Sequence, residues 1–70
     1  MVLNIEDEVI IDFDRGDEDL VNFFEESGNL EGYAVINDID GAYIWIDGYD
    51  VGIPREYIVI NMTTGEENVN

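Results

Sequence analysis

The dipeptide Asp40-Gly41 constrains this chain more than any other feature. It lies between two apolar runs in the stretch GYAVINDIDGAYIWIDGYDVGIPREYIVINM, residues 32 to 62. Asp-Gly flanked by apolar residues is a strong local signal for a β-hairpin. With those two residues as the loop, Ile39 pairs with Ala42, Asn37 with Ile44, Ile36 with Trp45 and Val35 with Ile46. The strand period of two then sorts the side chains into two faces. One face carries Tyr33, Val35, Asn37, Ile39, Ala42, Ile44 and Ile46, and predicts the core. The other carries Ala34, Ile36, Asp38, Tyr43, Trp45 and Asp47. It is half aromatic and half acidic, so it is either covered by another element or used for binding.

The other elements are read around this hairpin. Val2 to Ile5 alternates weakly and predicts a short edge strand, followed by an acidic break at Glu6-Asp7-Glu8. Val9 to Phe13 is β-branched and predicts a strand. Asp14-Arg15-Gly16 reads as a turn. The segment DEDLVNFFEESG, Asp17 to Gly28, predicts a three-turn helix. Asp17 suits the N-cap, Glu18 and Asp19 the first turn, and Gly28 the C′ position. Leu20, Val21, Phe23 and Phe24 share one helical face. Gly48 to Gly52 reads as a loop and Ile53 to Glu56 as a tight turn, because Pro54 has a set φ and no donor. Tyr57 to Met62 is almost wholly apolar and predicts a central strand covered on both faces. The expected fold class is α+β: a small curved antiparallel sheet or partly open barrel with one helix, in the order β-α-β-β-β. Residues 1–62 form the single small acidic domain and 63–70 a polar C-terminal tail that should fray.

The helix contains a conflict. Glu25 and Glu26 lie in its last turn, where the macrodipole favours cations. Glu18, Asn22 and Glu26 form an i, i+4 row with no basic partner. An acidic face of this kind is ordinary on one helix, but the same pattern runs through the chain. Eighteen acids stand against two arginines, Arg15 and Arg55, with no lysine, for a net charge of −16. The acids run from Glu6 to Glu67, so folding must spread them over the surface. A folded chain of this length has a radius of gyration near 11 Å and a diameter of about 28 Å. Duplex DNA carries one charge per about 1.7 Å of axis, so the same span of duplex holds about 16. Self-repulsion of that size weakens the compact state. A 70-residue domain buries only about 60% of its unfolded surface and has little stability to lose.

Several functions are disfavoured. Hydrophobic content of 46% is too high for intrinsic disorder. With no cysteine and no histidine, disulfides, thiolate sites, the usual general base and the commonest nitrogen ligand are missing. A calcium loop begun at Asp12 puts Gly16 at position 5 and Phe23 at position 12, and one begun at Ile36 has no oxygen at position 1. No metal site and no cofactor are expected. Eighteen acids produce carboxylate pairs by chance, and so small a chain has little room for a substrate cleft, so catalysis is not expected either. The start MVLNIEDEVI lacks a basic region and a long apolar run, and no segment approaches a membrane span. A cytoplasmic protein is expected, and Asn61-Met62-Thr63 then has no meaning as a glycosylation site.

Asp40-Gly41 followed by aromatics, then Ile53-Pro54-Arg55-Glu56-Tyr57-Ile58, resembles the C-terminal half of a Src-homology-3 barrel, in which D-G-W-W leads to I-P-x-N-Y-V. Val9-Ile10-Ile11-Asp12-Phe13 stands where that family has A-L-Y-D-Y. The resemblance spans roughly residues 9 to 60 and implies a small barrel. Pro54, Tyr57 and Phe13 match ligand-groove positions, whereas Ala42 replaces the first, ligand-contacting tryptophan and Ile11 a binding tyrosine. The helix from Asp17 would replace that family's long first loop.

Three classes of function compete. The first is a nucleic-acid mimic, a stoichiometric inhibitor that occupies the DNA- or RNA-binding site of a basic protein. Proteins of that character are typically encoded by phages or mobile elements and act against restriction, CRISPR, repair or transcription machinery in the host cytoplasm. The second is a Src-homology-3-like adaptor for a peptide or basic domain. The third is a halophile's domain whose acids only hold water and salt, which the isoleucine- and asparagine-rich composition with two alanines disfavours. The mimic reading accounts best for the absence of lysine and the dispersed acids. Its partner is a basic nucleic-acid-binding protein, with no direct nucleic acid and no membrane. The candidate contacts are Asp14, Asp17, Glu18, Asp19, Glu25 and Glu26 on the helix and its flanks, and Asp38, Asp40, Asp47 and Asp50 on the hairpin loops. Each would stand in for a phosphate. Tyr43, Trp45 and Tyr49 could add an aromatic patch, unless the helix covers Tyr43 and Trp45.

Overall fold

The computed structural model describes residues 1–68. A curved antiparallel sheet carries one helix. The strands are β1 (Glu8–Ile11), β2 (Tyr33–Asp40), β3 (Tyr43–Ile46), β4 (Tyr49–Pro54), β5 (Ile58–Asn61) and β6 (Glu66–Glu67), and the helix α1 (Glu18–Glu26) joins β1 to β2. The sheet order is β4-β3-β2-β1-β5-β6, and it does not close into a barrel. The α+β class, curved antiparallel sheet and single helix expected from the sequence are what the chain adopts. The radius of gyration is 10.9 Å and the extents are 28 × 21 × 21 Å.

The helix follows its local signals. Asp17 caps it, its side chain accepting from the Leu20 N–H at 3.0 Å. Gly28, past the last turn, takes φ +71°, which glycine adopts at little cost. Leu20 and Phe24 are buried, and Phe24 stacks on Phe13 with ring centroids 4.8 Å apart. Eleven buried apolar residues form one core: Val9, Ile11 and Phe13; Leu20 and Phe24; then Ala34, Ile36, Ile44, Ile46, Ile53 and Ile58. Every element from β1 to β5 contributes to it.

The hairpin forms with different side chains inward. Its loop is Gly41-Ala42, not Asp40-Gly41, since Asp40 pairs with Tyr43. Gly41 alone has positive φ there, at +59°, as a loop with glycine at its first central position requires. This slip leaves the faces near the loop unchanged. A bulge between Ile36 and Asp38 then reverses them. Asn37 and Asp38 are both exposed, while Ile36 and Ala34 are buried. Tyr33 and Asn37, expected in the core, are therefore exposed and Val35 is half-buried; Ala42, also expected there, is exposed because it lies in the loop. Ile44, Ile46 and the half-buried Ile39 stay on the core side as expected. Bulges bend a strand and raise its twist. Two more, at Ile10/Ile11 and at Ile44/Ile46, help curve the sheet around its core.

Other local expectations are corrected. Val2 to Ile5 forms no strand. The expected loop from Gly48 to Gly52 is mostly strand β4, which turns back from β3 at Asp47-Gly48. Pro54 ends this edge strand, where its missing donor is harmless, and a 3-10 turn at Arg55–Tyr57 leads into β5. Strand β5 is covered on one face only, for Val59 is 48% exposed. The polar stretch after Met62 turns back as β6 against β5, and its last two residues lie outside the described ones.

Candidate partner-binding surface

Seventeen of the eighteen carboxylates are exposed; Asp7 is the exception. Asp7 accepts from the Asn61 side-chain amide at 2.8 Å and from the Asn4 N–H at 2.9 Å, which ties the first residues to β5. Such a buried carboxylate requires these donors. Neither arginine donates to a carboxylate among the described hydrogen bonds. Arg15 donates to the Glu56 carbonyl at 2.9 Å and lies 5.0 Å from the centroid of the Tyr57 ring. Arg55 donates to the Met1 carbonyl at 2.7 Å and the Gly41 carbonyl at 3.5 Å.

The candidate acids fall in three regions. Asp14 in the turn before α1, Asp17 at its cap, and Glu18 and Asp19 in its first turn are all exposed. The β3–β4 turn reaches the same helix, because Gly48 lies against the Phe23 ring. Asp47 and Asp50 are exposed on either side of Gly48 and Tyr49, the two residues that meet Phe23 of α1. Glu25 and Glu26 occupy the other end of the helix, which has no basic residue in its last turn. Asp38 and Asp40 stand apart on β2, paired across the strands with Trp45 and Tyr43.

The aromatic residues separate in the same way. Tyr43 is 49% exposed and Trp45 is half-buried, on the sheet face opposite the core residues Ile44 and Ile46. The helix packs on the core side and leaves them uncovered. Trp45 instead lies against Gly52 of β4, where an added Cβ would come within 3.0 Å of its ring. Tyr49 packs on Phe23, with centroids 5.1 Å apart, so the three aromatics do not make one patch. The Tyr49 hydroxyl is pushed above its ordinary pKa of 10.0 by desolvation and then by the charges of Asp17 and Asp19.

Tyr49 also lines a groove that the candidate acids did not predict. This groove, of about 90 Å³, runs between the start of α1 and strand β4, with Gly16, Asp17, Leu20, Pro54 and Tyr57 among its walls. The sequence signal for it was the match of Pro54 and Tyr57 to ligand-groove positions. Among the described residues, no three carboxylates gather as a metal site would require, and no helix is long and apolar enough to cross a membrane. Comparison with protein-family models, curated proteins and solved structures finds nothing that matches this chain.

Proposed function

We propose that this protein is a stoichiometric inhibitor of a nucleic-acid-binding protein, occupying the partner's site as a mimic of nucleic-acid charge. One observation carries the reading. Seventeen carboxylates are exposed on a globule 28 Å long, with a net charge of −16. A duplex of that length holds about 16 charges. The acids of α1 and of the β3–β4 turn are among the candidate contacts, and each would meet an arginine or lysine of the partner's groove. Attraction of this kind steers association and weakens with salt.

Immobilised protein, incubated with a bacterial lysate at low salt and eluted along a salt gradient, tests the proposal. One nucleic-acid-binding protein leaving at a defined salt step, and displaced by duplex DNA, is the expected result. A diffuse early elution of many basic proteins with no DNA competition would refute it. Such a partner places the protein in the cytoplasm of the cell it acts in.

The groove at Tyr49, Pro54 and Tyr57 favours a second reading, a Src-homology-3-like adaptor for a peptide. Under it, Tyr57→Ala abolishes binding while neutralising Glu25 and Glu26 changes little. The mimic reading reverses those two outcomes.

A further inference from the structure

We propose that the outer face of the β2–β3 hairpin is an arginine-selective surface, so that the partner engages it through guanidinium rather than ammonium groups. The inference rests on the partner being a basic protein, as proposed above, and specifies the chemistry of one of its contacts. Two cross-strand pairs, Asp38 with Trp45 and Asp40 with Tyr43, set a carboxylate beside an aromatic ring twice in succession. Directly opposed residues on one face of an antiparallel pair have Cβ atoms about 5 Å apart. A guanidinium can stack on an aromatic face while its edge donates to a carboxylate. An ammonium is a compact, strongly hydrated charge without that planar geometry.

Three details make this more than a patch of acids. The bulge at Ile36/Asp38 turns both Asn37 and Asp38 outward, where strict alternation would hide one of them. The Asp38 Oδ1 accepts from the Ile39 N–H at 2.8 Å, which orients the carboxylate, and Oδ2 accepts nothing among the described hydrogen bonds. Gly52 lets the Trp45 ring lie close against β4, so its position is set before a ligand arrives. Beside Tyr43 the face opens into a hollow of about 210 Å³ lined by Ala42, Tyr43, Pro54, Arg55 and Glu56. Its apolar walls suit the methylene stem of an arginine, and Glu56 adds a carboxylate. Arg55, the one cation on its wall, is held by the carbonyls of Met1 and Gly41. The molecule already sets one guanidinium over an aromatic ring, Arg15 over Tyr57, with its edge donating to the Glu56 carbonyl.

Trp45 is the single tryptophan, so its emission reports on this face alone. The test titrates the intact protein with hexa-arginine and with hexa-lysine at equal ionic strength. Saturable change in Trp45 emission is expected for both, with hexa-arginine tighter by about tenfold. Asp38→Asn with Asp40→Asn should reduce hexa-arginine to the level of hexa-lysine. Glu66→Gln with Glu67→Gln, on β6 at the far edge of the sheet, removes the same charge and should keep the preference; circular dichroism confirms that both double variants are folded. Equal affinity for the two peptides overturns the inference, as does equal loss in the two double variants. If the preference is absent but DNA still displaces the lysate partner, this surface is wrong and the mimic reading stands. If the preference holds and DNA displaces nothing, the surface stands and the mimic reading falls.

Discussion

At the residue scale, Asp7 and Tyr49 show how differently buried and surface groups behave in so acidic a chain. Asp7 holds the buried Asn61 amide and the Asn4 N–H. Asp7→Ala leaves the Asn61 donor unpaired in the interior, at a cost of about 1–3 kcal/mol in urea unfolding. Asp7→Asn keeps an acceptor oxygen and should lose less; equal losses would sink this account. Tyr49 is the better test of electrostatics. Its folded pKa lies above the unfolded value because of desolvation and then of Asp17 and Asp19. A group whose folded pKa is raised adds stability that is present below the unfolded pKa, near 10, and is lost as pH rises through the folded pKa. Chemical denaturation midpoints should therefore fall above pH 10, and fall less steeply in Tyr49→Phe. Tyr33 contributes to the same alkaline loss, chiefly through the hydrogen bond its hydroxyl donates to Glu8 at 2.6 Å.

At the element scale, α1 places charge against its own dipole. Glu25 and Glu26 occupy the last turn, where cations are favoured, and no base stands near them on the helix. Glu25→Lys and Glu26→Lys should each raise stability by about 0.3–1 kcal/mol at low salt, read as a higher thermal midpoint. The same variants should weaken capture of a basic partner. A gain in stability together with unchanged binding would place these acids outside the interface. The helix itself was legible because its signals are local: an Asp cap, acids in the first turn, apolar spacing and Gly28 at the end. Strand β4 was not legible. Gly48 to Gly52 has the composition of a loop, and its pairing with β3 comes from Ile53 and Tyr49 meeting Ile44 and Ile46 across the sheet.

At the scale of the whole molecule, net charge sets two salt dependences of opposite sign. Sixteen net negative charges on a globule 28 Å long repel one another, and screening shrinks from about 10 Å at 0.1 M to 3 Å at 1 M salt. Folding stability should rise between those salt concentrations, measured as an increase in the urea midpoint. Partner binding should fall over the same range. A midpoint unaffected by salt would mean that self-repulsion is not a significant destabilising term. The compact size was foreseeable from length alone, and the surface placement of the acids from their dispersal along the chain.

Local chemistry makes several features readable in the amino-acid sequence by itself: the hairpin around Gly41, the Asp17 cap, the Gly28 stop and the acidic surface. Each depends on residues a few positions apart, whose preferences act whatever the rest of the chain does. Tertiary packing decided the rest. The bulge at Ile36/Asp38 sends Ile36 rather than Val35 fully into the core, because the sheet must bend around Phe24 and its neighbours. Asp7 meets Asn61 across 54 positions of sequence. Strict alternation cannot anticipate one inserted residue, and no local preference can report a contact made only when distant strands pair.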